Sequence, residues 1–78
     1  MANRSSAERD IAAVDYDFIR GELVRLNIQQ LDLADRLGRG RPYLSQKLNG
    51  KVPFKLWEVD MIADVLGCTT DRLFKRGL

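Results

Sequence analysis

The stretch GRGRPYLSQKLNGKVPFK, residues 38 to 55, holds Arg39, Arg41, Lys47, Lys51 and Lys55 with no acid among them, and interleaves Tyr43, Gln46 and Asn49. Residues of these types donate hydrogen bonds and carry positive charge, which is the chemistry of recognition. An Arg fork matches the two acceptors of guanine, a Gln amide matches adenine, and Lys acts as a point charge toward phosphate. The placement is selective. Residues 1 to 37 carry five Lys or Arg against seven acids, and residues 56 to 78 carry three against four, so the net +2 of the chain arises entirely in this stretch. The flanking segments mix their signs as solvated faces usually do, and this one does not.

Other chemistry is hard to assemble. Cys68 is the single cysteine and there is no histidine, which leaves no intrachain disulfide, no conventional zinc site and no Cys/His or Ser/His nucleophile. Eleven acids remain, on segments that read as solvated helix faces, and 78 residues leave little room for a substrate cleft. The expectation is one small domain that is not an enzyme and needs no cofactor, metal or small-molecule substrate. No apolar run approaches a membrane span, and MANRSSAERD lacks the apolar centre of a secretory signal, so a cytoplasmic location is expected.

The elements that must position these residues follow from apolar spacing. Residues 1 to 13 are polar and small, and are expected to be a flexible arm or a short extra helix, with the domain proper at 14 to 78. Tyr16, Ile19, Leu23 and Leu26 form one face of a first helix, capped by Asp15 and closed by Asn27. Gln30, Leu33, Ala34 and Leu37 are in phase for a short second helix that begins at Gln29 and ends at Gly38. Pro42 suits the first turn of a third helix, Arg41 to about Leu48, with Leu44 and Leu48 inward and Asn49 and Gly50 ending it. Val52, Pro53 and Phe54 read as a loop pinned by Phe54. Leu56, Val59, Ile62, Ala63 and Leu66 mark a fourth helix, and Thr69 or Thr70 with Asp71 starts a last short one carrying Leu73 and Phe74 inward. The fold class is all-α with five helices.

Two short helices joined by Gly38, Arg39 and Gly40 have the layout of a helix-turn-helix. Residues 19 to 74, through Gln30, Leu33-Ala34, Leu37-Gly38, Leu44, Asn49-Gly50, Ile62-Ala63, Leu66-Gly67 and Leu73, resemble the lambda-repressor-like (Cro/repressor, XRE-type) helix-turn-helix family. The resemblance implies that Gln30 holds a phosphate and buttresses the third helix. It implies that Arg41, Pro42, Tyr43 and Gln46 reach base edges and that Asn49 and Lys51 grip the backbone. Gln29, Arg39, Lys47 and Lys55 complete the expected backbone contacts. The chain departs from the family at Pro42, which has no side-chain donor, and at Lys47, which stands where many members place an apolar core residue.

Trp57 and Met61 lie four apart beside the core stripe of the fourth helix. Either the amino-terminal segment covers them through Ile11 and Val14, or they form, with Phe74, the surface of a homodimer or another partner. The expected function is a sequence-specific regulator that occupies double-stranded operator DNA, like the stand-alone Cro-like or small repressor proteins of phages. The alternative is a protein-binding adaptor or antitoxin working through Trp57 and Met61.

Overall fold

The computed structural model describes residues 9–11 and 13–75. In chain order the elements are β1 (Asp10–Ile11), α1 (Tyr16–Arg25), α2 (Gln30–Leu37), α3 (Arg41–Leu48), β2 (Phe54–Lys55), α4 (Leu56–Leu66) and a 3₁₀ turn (Thr70–Leu73). The chain is thus mostly helical with one small two-stranded sheet. Among the described residues no helix is long and apolar enough to cross a membrane.

All four α-helices end in the same way. One residue past the end of α2 and α4, and two past the end of α1 and α3, the backbone takes positive φ: Gly38 at 72°, Gly67 at 72°, Asn27 at 58° and Gly50 at 77°. At each end the following amide reaches back five residues, as in Arg39 N–H to Ala34 O at 3.0 Å and Lys51 N–H to Gln46 O at 3.0 Å. This pairing satisfies carbonyls that the helix leaves unbonded and turns the chain sharply. Helices of eight residues are marginal alone, so their ends and their buried faces together hold them. At the start of α1 the Asp15 carboxylate accepts from Phe18 N–H at 3.0 Å, as the sequence suggests.

One core gathers the apolar face of every helix: Ile19 and Leu23 from α1, Leu33, Ala34 and Leu37 from α2, Leu44 and Leu48 from α3, and Val59, Ile62, Ala63 and Leu66 from α4, with Val14, Phe54 and Leu73 closing it. Phe54 is fully buried and stacks against Tyr16, their ring centroids 6.2 Å apart. Tyr16 also lies under Gly50, so the start of α1 supports the loop that leaves α3.

Three expectations change. The last short helix is 3₁₀ rather than α, and its Thr70 hydroxyl donates to Asp60 on α4 at 2.8 Å instead of capping its own turn. Residues 52 to 55 are more than a loop, because Asp10 and Ile11 pair antiparallel with Lys55 and Phe54. The amino-terminal segment is therefore neither free arm nor helix where it is described. Leu56 N–H donates to Arg9 O at 2.9 Å, Val14 bridges to Phe74, and Lys75 N–H donates to Ala13 O at 2.9 Å. Residues 1–8 lie outside the described set.

Phe54 joins the sheet, the Tyr16 stack and the core, and removing so large a buried ring costs about 3–5 kcal/mol. Phe54→Ala is expected to lower the unfolding free energy by that amount, read as a lower urea midpoint with little change in slope in circular-dichroism titrations.

Candidate nucleic-acid interface

The residues singled out in the sequence fall on the turn Gly38 to Gly40, on α3, and on the loop after it. Leu44 and Leu48 lie in the core, and this fixes which side of α3 turns outward. Arg41, Pro42 and Gln46 are exposed on the helix, with Asn49 and Lys51 exposed just beyond its end and Arg39 exposed just before its start. Gln29 is exposed and Gln30 half-buried at the start of α2. The sequence thus places one continuous donor-rich face on a single short helix and its two flanks.

The carboxy-terminal end of that helix is held from α1. Arg20 donates from Nη1 to the carbonyl of Leu48 at 2.6 Å, and its Nη2 pairs with Asp17 at 2.7 Å. A guanidinium at a helix C-terminus satisfies an orphan carbonyl and meets the negative end of the helix dipole. Sequence reasoning missed this contact, since residues 20 and 48 are far apart in the chain.

The other anchor overturns part of the expectation. Lys47 is 3% exposed and does not face outward: its ammonium donates to Glu58 Oε1 at 2.7 Å. It therefore cannot contact a DNA backbone, and its charge is answered by an acid from α4 rather than left open. Tyr43 is corrected too. One helical turn before Lys47, its hydroxyl donates to the other oxygen of Glu58, so the polar end expected at a base edge points into the protein. A third donor, the Lys55 amide, reaches Glu58 Oε1 at 2.7 Å. This is the carboxylate half of a capping box for α4; Lys55 has no side-chain acceptor to return the bond. Glu58 itself has no solvent exposure, and no buried side-chain nitrogen or oxygen among the described residues lacks a partner.

Lys55 is also less available than its sequence context suggests, because its ammonium pairs with Asp10 across the small sheet at 2.8 Å. The acids that neutralise Lys47 and Lys55 come from outside the 38 to 55 stretch, which is why a window confined to that stretch cannot find them. The Arg39 guanidinium carbon lies over the Tyr43 ring, 5.2 Å from the centroid, and the Lys47 ammonium lies 4.5 Å from the same point. Arg39, Arg41 and Lys51 have no ion pair among the described residues. The signal that could have revealed the network is positional: Glu58 shares the i, i+4 stripe of Ile62 and Leu66, so an acid and a base both occupy core-phase positions.

The remaining candidates separate. Trp57 is half-buried against the core, Met61 is 36% exposed, and Phe74 is half-buried where its backbone bridges to Val14. The amino-terminal segment does fold back, but onto β2 and the carboxy-terminal turn, and it leaves Met61 open. A shallow cleft of about 440 Å³ lies elsewhere, lined by residues that include Ile28, Asp32, Arg36 and Val65, and none of the turn, α3 or its following loop contributes to it. Among the described residues no group of three His, Cys, Asp or Glu converges to hold a metal ion. Comparison with known proteins found no matching family model, no similar curated protein and no similar solved structure.

Burial pushes the Lys47 ammonium down, but its hydrogen bonds and charge interactions with Glu58 and Tyr43 outweigh that, and the net direction is upward from the ordinary 10.5. A base whose folded value is raised adds stability that is whole below its unfolded value and fades as pH climbs through the folded one. Stability should therefore fall in strongly alkaline solution, as pH rises beyond the ordinary 10.5. That slope should flatten in the double variant Lys47→Met with Glu58→Gln, which removes both charges while keeping an acceptor for the Lys55 amide. Lys47→Ala alone strands a buried carboxylate and is expected to cost roughly 3–5 kcal/mol, most of which the double variant recovers. Urea midpoints across pH for the three proteins check both points.

Proposed function

We propose that this chain is a sequence-specific double-stranded DNA-binding transcriptional regulator. In this reading α2, the Gly38 to Gly40 turn and α3 form a helix-turn-helix, and the outward face of α3 enters the major groove. Arg41, Pro42 and Gln46 read base edges there: Arg41 by a bidentate bond, Gln46 through its amide, and Pro42 by apolar contact with a thymine methyl. Gln29, Gln30, Arg39, Asn49 and Lys51 meet the phosphate backbone on both flanks and set the register. Regulation follows from occupancy of an operator, in the manner of a small phage-type repressor, with no chemistry performed on the DNA.

The observation that supports this most is the way α3 is anchored beneath its outward face. Its two ends are tied down, at Tyr43 and Lys47 by Glu58 and at Leu48 by Arg20, while Arg39, Arg41, Gln46, Asn49 and Lys51 remain exposed around it. A reading helix must be fixed in rotation, since donors displaced by about an ångström lose their bidentate partners. A protein-binding adaptor is the second reading, favoured by the exposure of Met61 beside Trp57 on α4.

Selection from a random duplex pool is expected to recover a motif. On that motif Arg41→Ala should lose about 1–3 kcal/mol and relax one position, with little effect on random duplex. Lys51→Ala should weaken both duplexes alike and reduce the salt slope by about one ion. Failure to enrich any motif would favour the adaptor.

A further inference from the structure

Three contacts meet on Tyr43. Its hydroxyl is held by Glu58, the Lys47 ammonium lies near its ring, and the Arg39 guanidinium carbon lies over the ring, 5.2 Å from its centroid. Glu58 and Lys47 are buried, Tyr43 is half-buried and Arg39 is exposed, so the series runs from the core to the surface just before α3 begins. A tyrosine whose hydroxyl is bonded has the far end of its ring pinned, so the ring cannot leave its place beside α4, and with the Lys47 ammonium 4.5 Å from its centroid it offers Arg39 a platform that stays in position. A planar guanidinium gains more from such a platform than an ammonium does, because it can stack as well as attract.

We infer that Glu58 is a positioning residue for Arg39: the buried carboxylate fixes the Tyr43 phenol, and the fixed ring presents the Arg39 guanidinium, already ordered, to the duplex. This deepens the functional reading above and rests on it. It moves the role expected of Tyr43 one step outward, since Tyr43 touches no DNA and acts through its neighbour. The contribution is preorganisation. An arginine held in its bound orientation loses less rotamer freedom on contact, and that saving appears as affinity without any added charge.

The experiment has a DNA-free arm and a DNA-bound arm. In the free protein, nitrogen-15 relaxation of the Arg39 Nε–H is expected to report an ordered side chain in the wild type and a mobile one in Tyr43→Phe, which keeps the ring but loses the bond to Glu58. In duplex titrations Tyr43→Phe should weaken binding about fivefold on the wild-type background and less than about twofold on an Arg39→Ala background, a coupling of the size seen between residues in one network. The salt slope should be the same for Tyr43→Phe and wild type, because no cation has been removed. Arg39→Lys alters only an exposed side chain, so its folding is not in question, and it should bind at least about threefold more weakly although its charge is kept. Equal losses for Tyr43→Phe on both backgrounds, wild-type affinity for Arg39→Lys, or an Arg39 side chain equally mobile in wild type and Tyr43→Phe would each overturn the inference. A wild-type chain that orders Arg39 but binds no duplex would instead overturn the functional reading, and the use of Arg39 with it.

Discussion

A carboxylate without solvent contact governs the position of α3. Glu58 sits in the first turn of α4 and gathers a phenol, an ammonium and a backbone amide, so its charge is compensated and its lone pairs are used. Desolvating an ion pair costs several kcal/mol per ion, and a packed apolar pair of similar volume is often as stable or more so. The pair therefore adds little to stability that leucine and methionine would not supply. It does add direction. Apolar contacts such as those of Leu44 and Leu48 hold α3 against the core but tolerate small rotations, whereas two hydrogen bonds from one helix face to the two oxygens of one carboxylate do not.

Arg20 complements that constraint from the far end of the helix. Its bond to the Leu48 carbonyl fixes where α3 stops, and Tyr16 beneath Gly50 fixes how the chain departs. Both residues come from α1, which contributes no side chain to the exposed face. The amino-terminal strand has a similar supporting role at the other boundary: it pairs with β2, directly ahead of the α4 turn that carries Glu58, and binds the carboxy-terminal turn through Val14 and Phe74. Segments remote from α3 in sequence thus determine the stiffness of the elements on either side of it.

What was legible in the sequence was what local rules decide. Helix spacing, the Asp15 cap, the αL closures at Asn27 and Gly38, and the inward pair Leu44 and Leu48 all depend on residues within a turn or two of one another, and each stands in the structure. The two-residue strands were not legible, because they have no period to detect and exist only through pairing between residues 10–11 and 54–55. The last helix is 3₁₀, and its Thr70 bonds Asp60 on a neighbouring helix, a partner no local spacing announces. The errors at Lys47 and Tyr43 share one cause. Their partner lies 11 and 15 positions onward, and a charged residue in core phase reads as an exposed residue unless its counter-charge is sought in core phase too.

The same long-range pairing changes the meaning of the basic stretch. Five cations lie between residues 38 and 55, but Lys47 is spent on Glu58 and Lys55 is paired with Asp10, which leaves Arg39, Arg41 and Lys51. Of these, one precedes α3, one opens it and one follows it, so the open charge brackets the helix instead of covering it. In the proposed reading Arg41 goes to a base edge and Arg39 and Lys51 to phosphate, which would release about two counterions' worth of salt dependence, a modest nonspecific attraction. On that reading a surface so sparsely charged would favour discrimination over indiscriminate adhesion, since more of the affinity would have to come from correctly oriented donors such as Arg41 and Gln46. Orientation is what the buried carboxylate secures, so the withdrawal of Lys47 from the open charge and the fixing of the helix follow from one and the same ion pair.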